Sequence, residues 1–212
     1  MVYIIPRISI IPVIKLFTKK IEGLENLTSM KESGFIIASN HTSYMDHLFI
    51  ASNVISKLDR KMHFLAKKEH FDNYLSRKWH EYAGAIPLDR EAGGEDALRF
   101  AIKALKEKKI IGIYPEGTRS LTGKIQRGKI GVARLALASK VPVLPIGLIG
   151  TFEILPKGKH IPKFRKATIA IGVPMYFDKY YNKAEDPKVL RLITTKIMKE
   201  IGKLSNQKYE YE

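Results

Sequence analysis

The chain has 212 residues, 45% of them hydrophobic, enough for one domain with a real core and too apolar for wholesale disorder. It has no cysteine, which excludes disulfides, thiolate nucleophiles and cysteine-ligated zinc or iron–sulfur sites. Thirty-seven Lys and Arg against 21 Asp and Glu leave +16, more than solubility asks for, and such a charge attracts a polyanion: nucleic acid, anionic lipid headgroups, an acidic carrier protein or a phosphorylated cofactor.

The first 17 residues read MVYIIPRISIIPVIKLF, followed by Thr18-Lys19-Lys20. The run is apolar, but Arg7 and Lys15 interrupt it, and Pro6 and Pro12 are expected to kink any helix there. It is shorter than the roughly 20 apolar residues of a spanning helix. No small-residue cleavage site follows, which argues against a secretory signal. Residues 1–24 are therefore expected to form an apolar, basic segment in a membrane interface, with packing on the core as the other reading. Residues 25–212 are expected to form the domain proper, since no repeat, low-complexity tract or linker divides them.

Short Ile- and Val-rich runs then alternate with longer helical patterns. Strands are predicted at Phe35–Ser39, His63–Ala66, Ala85–Leu88, Ile110–Tyr114, Val143–Gly147 and Ala167–Gly172. Most are apolar throughout, as strands covered on both faces are. Helices are predicted at Glu95–Lys108 and Lys129–Ser139, and after Asp186, a natural N-cap followed by Pro187 at the first helical position. The alternation predicts an α/β fold: one layered domain with a mixed, mostly parallel sheet flanked by helices. The polar residues 206–212 are expected to fray.

Two polar clusters sit where predicted strands end. Asn40-His41-Thr42-Ser43-Tyr44-Met45-Asp46 follows the first strand, and an amphipathic stretch with Leu48, Phe49 and Ile50 follows it. A chain turning from strand to helix can fold Asp46 back onto His41; a carboxylate on one ring nitrogen fixes the tautomer and leaves the other nitrogen free to accept a proton. Taken alone, such a pair is weak evidence, and a structural or surface histidine is the plainer reading. His47 is expected to project from another face of the helix. The second cluster, Tyr114-Pro115-Glu116-Gly117-Thr118-Arg119-Ser120, offers Gly117 for a tight turn and the Arg119 fork for a phosphate. Glu116 is suited to orient that arginine or to bind a substrate hydroxyl; an ordinary turn with a solvated ion pair is the competing account. Two further stretches are Gly84-Ala85-Ile86-Pro87-Leu88-Asp89-Arg90, whose strand ends in a basic residue, and Val141-Pro142-Val143-Leu144-Pro145.

In this order the four stretches resemble the 1-acylglycerol-3-phosphate acyltransferase family: N-H-x4-D at His41 and Asp46, a block ending at Arg90, E-G-T-R at Glu116–Arg119, and Val-Pro-x-x-Pro at Val141–Pro145. The segment from Arg127 to Ala136 also resembles the family, and the likeness runs over residues 20–175. Many family members carry longer hydrophobic N-terminal helices than this one. The resemblance implies that His41 is a general base oriented by Asp46, and that the acceptor alcohol attacks an acyl thioester directly. In keeping with this, there is neither a cysteine nor a G-x-S-x-G elbow. It implies that Arg119, helped by Gly117 and Thr118, holds the acceptor phosphate, that Glu116 belongs to the substrate-binding set, and that Arg90 and Lys68 are further candidates for the phosphate. The partners implied are lysophosphatidate, acyl-CoA or acyl carrier protein as co-substrate, and the phospholipid surface at the cytoplasmic face of the cell membrane, with peripheral or monotopic attachment. No cofactor, metal or nucleic acid is expected. Another acceptor, glycerol 3-phosphate or a different lysophospholipid, is the alternative within the class. A basic nucleic-acid-binding protein is the alternative outside it, although helix-turn-helix, zinc-ligand, aromatic RNP and P-loop patterns are all absent. A metal hydrolase is disfavoured because His41 and His47 are six residues apart and no H-E-x-x-H occurs.

Overall fold

The computed structural model describes residue 6, residues 8–88 and residues 95–212. A seven-stranded sheet runs in the order β1-β7-β6-β2-β5-β3-β4. Its strands are β1 (Thr18–Glu22), β2 (Phe35–Ser39), β3 (Met62–Lys67), β4 (Ala85–Leu88), β5 (Ile110–Ile113), β6 (Val143–Ile149) and β7 (Ala167–Ile171). All neighbours pair in parallel except β6 and β7. The predicted α/β architecture with a mixed, mostly parallel sheet is the one found.

Every residue of β2 is buried, because alternate side chains feed two cores. Ile36 and Ala38 pack under the helices Glu95–Lys106, Gly131–Ser139 and Pro187–Leu204. Phe35 and Ile37 face Ile14, Phe49, Ile50 and Val54 on the other side. This is why the strand reads as continuously apolar. β1 escapes the sequence reading for the opposite reason. It is an edge strand whose Lys19 and Lys20 are exposed, so it shows neither an apolar run nor clean alternation.

Helix α1 (Ile10–Leu16) buries Ile11 and Ile14 and leaves Val13 and Leu16 exposed. Pro12 does not break it, because it lies in the first turn, where its missing N–H has no intrahelical partner to lose. Residues 1–5 and 7 of the apolar segment lie outside the described residues. Helix α2 (Asp46–Ile50) runs through a π-helical turn at Ala51–Ile55 into a last turn at Ser56–Leu58. Helices α3 (Tyr74–Ala83) and α4 (Glu95–Lys106) flank β4, and α5 (Gly131–Ser139) leads into β6. A short α6 (Thr151–Ile154) follows β6, and α7 (Pro187–Leu204) closes the chain, its first turn capped by Asp186 Oδ1 accepting from Lys188 N and Val189 N.

The tail at residues 206–212, expected to fray, is anchored on the domain through Gln207 and Tyr209. The end of α7 lies directly on β6, so close that a Cβ on Gly147 would sit 2.3 Å from the Leu204 carbonyl carbon. The tail then turns back along residues 123–128. Gln207 Oε1 accepts from Ile125 N at 2.7 Å while its amide donates to Gly123 O at 3.1 Å. Buried Tyr209 accepts from Gly128 N at 3.1 Å. A polar composition hides such a strap, since backbone groups supply its partners.

Candidate active site

Register aligns the two clusters. In the β2/β5 pair Ala38 stands opposite Ile113, so Asn40-His41 and Tyr114-Pro115-Glu116 leave the sheet side by side. From there β2 continues past β5 to β3, and β5 past β2 to β6, so the two connections cross at the carboxyl ends of this central pair. In open α/β sheets ligands bind outside the carboxyl ends of the strands.

Hydrogen bonds from both sides fix the loop after β2. Buried Asn40 donates from Nδ2 to Leu148 O at 2.9 Å and accepts at Oδ1 from Leu148 N at 2.8 Å, tying the loop to β6. Thr42 meets Thr151 hydroxyl to hydroxyl at 3.0 Å, and Ser43 Oγ donates to Leu155 O at 2.8 Å. On its other side the His41 carbonyl accepts from Ser120 N at 2.8 Å.

Within this frame His41 Nδ1 lies 2.8 Å from Asp46 Oδ2. That oxygen also accepts from Thr42 N and Ser43 N, both at 2.8 Å, so the carboxylate at the head of α2 is held by backbone donors as it faces the ring. The His41 ring stacks on Tyr114 with centroids 3.8 Å apart and 10° between planes. With Nδ1 engaged by a carboxylate, the proton sits on Nδ1 and Nε2 is the basic nitrogen.

Glu116 stands elsewhere than expected. It is buried, Oε1 accepting from His41 N at 2.8 Å and Oε2 from Gln126 Nε2 at 2.8 Å and Gln126 N at 3.2 Å. Among the described residues it forms no ion pair with Arg119. It holds the backbone of His41, and Gln126, which also donates to Thr118 O at 3.0 Å, completes the clamp. Gly117 sits at φ +74°, and a Cβ there would meet the Lys129 side chain at 3.0–3.2 Å. The loop therefore takes a left-handed turn that only glycine makes without strain.

Arg119 lies with its guanidinium carbon 3.3 Å from the centroid of the Tyr44 ring, and its Nη1 is buried without a hydrogen-bond partner. Lys68 is exposed at the start of the turn after β3 and does not line the cleft. Arg90 lies outside the described residues.

A cleft of about 630 Å³ joins these groups. Its lining includes the polar groups of His41, Tyr44, Thr118, Arg119 and Lys157 and the apolar side chains of Ile10, Ile11, Ala51, Met62, Phe64 and Ala66. His47 and His80 lie along it as well. His47, expected on another helix face than Asp46, packs its ring 5.8 Å from Phe64 of β3. The wall it faces belongs to a strand distant in sequence, which spacing from Asp46 does not reveal. Tyr44, Tyr114 and Gln126 were likewise unassigned by the sequence, although the first two stand inside the quoted clusters.

Burial displaces two titrations in opposite directions. It raises the Glu116 carboxyl from 4.5 to about 7, against the hydrogen bonds from Gln126 and His41. It lowers His47 from 6.5 to about 4, with Asp46 opposing and His41, His80 and Arg119 adding to the fall. Between pH 4.5 and 6.5 Glu116 therefore loses the fold stability as pH rises, because the native state holds a proton that the unfolded chain has released. His47 gains stability over the same window, because there the unfolded chain holds the proton. The two slopes oppose one another, and removing one exposes the other. In Glu116→Gln, unfolding free energy relative to wild type is expected to rise by on the order of 3 kcal/mol from pH 4.5 to 7. Urea unfolding across this range measures it; parallel profiles would refute it.

A model of the Acyltransferase family matches residues 19–149, more than half of the chain. The 1-acyl-sn-glycerol-3-phosphate acyltransferase of Bacillus subtilis (strain 168) is 32% identical over 158 residues, 74% of this chain and 73% of the relative. The chloroplastic 1-acyl-sn-glycerol-3-phosphate acyltransferase LPAT1 of Arabidopsis thaliana is 33% identical over 155 residues, 72% of this chain but 41% of the relative. The crystal structure of the 1-acyl-sn-glycerophosphate (LPA) acyltransferase of Thermotoga maritima has a TM-score of 0.72 at 28% identity, covering 92% of this chain and 76% of that one. Sheet, cleft and matched region thus define an enzyme of acyl transfer. Four-block order and the bacterial relative narrow the class: the chain belongs to the 1-acylglycerol-3-phosphate acyltransferase family.

Proposed function

We propose that this enzyme moves a fatty acyl group from a thioester, acyl-CoA or acyl carrier protein, to the free sn-2 hydroxyl of 1-acylglycerol 3-phosphate, giving phosphatidic acid. His41 Nε2 takes the hydroxyl proton as the oxygen attacks the thioester carbonyl. The C–O bond forms, the C–S bond breaks, and the proton passes to the departing thiolate. Asp46 holds the ring in its Nδ1–H tautomer and stabilises the imidazolium that forms. No acyl-enzyme is needed and the reaction balances without a prosthetic group. Arg119, paired to nothing at Nη1, receives the acceptor phosphate with Thr118 beside it, and the apolar side chains of the cleft lining take an acyl chain.

One observation carries this reading: the His41 imidazole and an arginine with a buried, unsatisfied donor open onto the same cleft. A buried guanidinium N–H without an acceptor is costly, and a phosphate oxygen relieves it. The basic chain and its apolar N-terminal segment support peripheral attachment to the cytoplasmic face of the membrane, where acceptor and product reside. No helix among the described residues is long and apolar enough to cross a bilayer. The test is an assay of purified protein with lysophosphatidate, glycerol 3-phosphate and lysophosphatidylcholine, each with acyl-CoA and acyl carrier protein. Phosphatidic acid formed from lysophosphatidate is the expected product. Equal or faster turnover of either other acceptor would overturn the assignment.

A further inference from the structure

The loop between α6 and β7 stands apart from the rest of the surface. Its residues 157–166 read KGKHIPKFRK and are all exposed. They include five cations, Lys157, Lys159, Lys163, Arg165 and Lys166, and no acid. Among the described residues none of the five forms an ion pair. Yet the loop also holds Ile161 at 84% and Phe164 at 72% exposure. A merely solubilising loop has no use for two large apolar side chains in water.

Its anchorage relates it to the active site. At one end Pro156 bridges Ser43 of the loop after β2, and Lys157 lines the same cleft as His41 and Arg119. At the other end the Phe164 ring meets Phe17 edge to face at 5.5 Å, just past α1. The exposed apolar residues Val13 and Leu16 of α1, with Ile8 just before it, thus continue into a cationic loop whose Lys157 lines the cleft.

We propose that residues 157–166 are a second membrane contact, in which the cations meet anionic lipid headgroups while Ile161 and Phe164 enter the acyl boundary, holding the cleft mouth on the surface that supplies the acceptor. The inference rests on the lysophosphatidate reading above and names the surface through which the substrate arrives. An acidic carrier protein would be matched by the cations alone. The exposed apolar pair and the continuity with α1 favour lipid.

The test compares wild type, the triple variant Lys159→Ala/Lys163→Ala/Arg165→Ala and Ile161→Ser. Their co-sedimentation is measured with phosphatidylcholine vesicles with and without phosphatidylglycerol. Each cation near an anionic surface contributes enough for about fivefold in partition, so the triple variant should bind the anionic vesicles roughly 100-fold more weakly. Ile161→Ser should weaken binding to both kinds. Turnover of a short-chain lysophosphatidate dissolved as monomers should stay at the wild-type level in all variants. Unchanged partition of the triple variant would overturn the proposal, as would loss of binding to acyl carrier protein with vesicle binding intact. If the wild type fails to turn over the monomeric acceptor, the activity assignment falls while the vesicle data still judge the loop.

Discussion

His41→Ala is expected to lower kcat by roughly 10²–10⁴-fold, the usual worth of a positioned general base, with KM for both substrates nearly unchanged. The base acts only as the acceptor oxygen attacks, so its loss should appear in the transition state and not in ground-state binding. Geometry supports a single reacting nitrogen. Nδ1 is committed to Asp46 at 2.8 Å, and Asp46 is itself fixed by two backbone donors, which leaves Nε2 on a ring that lines the cleft. Asp46→Asn should cost activity by a different route. Its amide still accepts from Thr42 and Ser43 through the carbonyl, yet it no longer stabilises an imidazolium and can favour the wrong tautomer. Steady-state kinetics with a melting curve on each variant checks both. A raised KM with kcat preserved in His41→Ala would remove the imidazole from the chemistry.

The two halves of this site were legible in the sequence to different depths. Local spacing makes the meeting of His41 and Asp46 possible, because a strand-to-helix turn can bring a residue five positions on back onto the histidine, and the helix does begin at Asp46. The meeting of residues 41 and 119 depends on the β2/β5 register, which no local pattern encodes, so only the four-block resemblance joined them before the structure did. Glu116 was drawn towards the substrate because a carboxylate beside an arginine usually pairs with it. The structure gives its oxygens to backbone N–H groups instead, a partner type every residue carries and no motif announces. The buried strands read correctly because two cores claim their side chains, whereas polar β1 escaped because backbone pairing secures it, and the tail escaped because only two of its side chains, Gln207 by hydrogen bonds and Tyr209 also by burial, anchor it.

Arg119→Ala is expected to lower kcat/KM for lysophosphatidate by roughly 30- to 300-fold, the range for removing one partner of a charge-assisted contact that stays partly solvated. Most of the loss should fall on KM for the phosphate-bearing acceptor, with KM for the thioester donor little changed. The reason lies in how the guanidinium is held: Tyr44 supports its face at 3.3 Å, which leaves its edge free to form two parallel hydrogen bonds to phosphate oxygens. Arg119→Lys keeps the charge but loses both the fork and the flat face that rests on the ring, so it should recover only part of the affinity. Tyr44→Ala should produce a smaller rise in the same KM, since it frees the guanidinium without removing it. The three variants are compared at fixed low salt, because raised ionic strength would mask the contact as screening shortens its reach. If Arg119→Ala slowed kcat while leaving acceptor KM untouched, the arginine would be acting on the reaction centre and the phosphate would have to be held elsewhere.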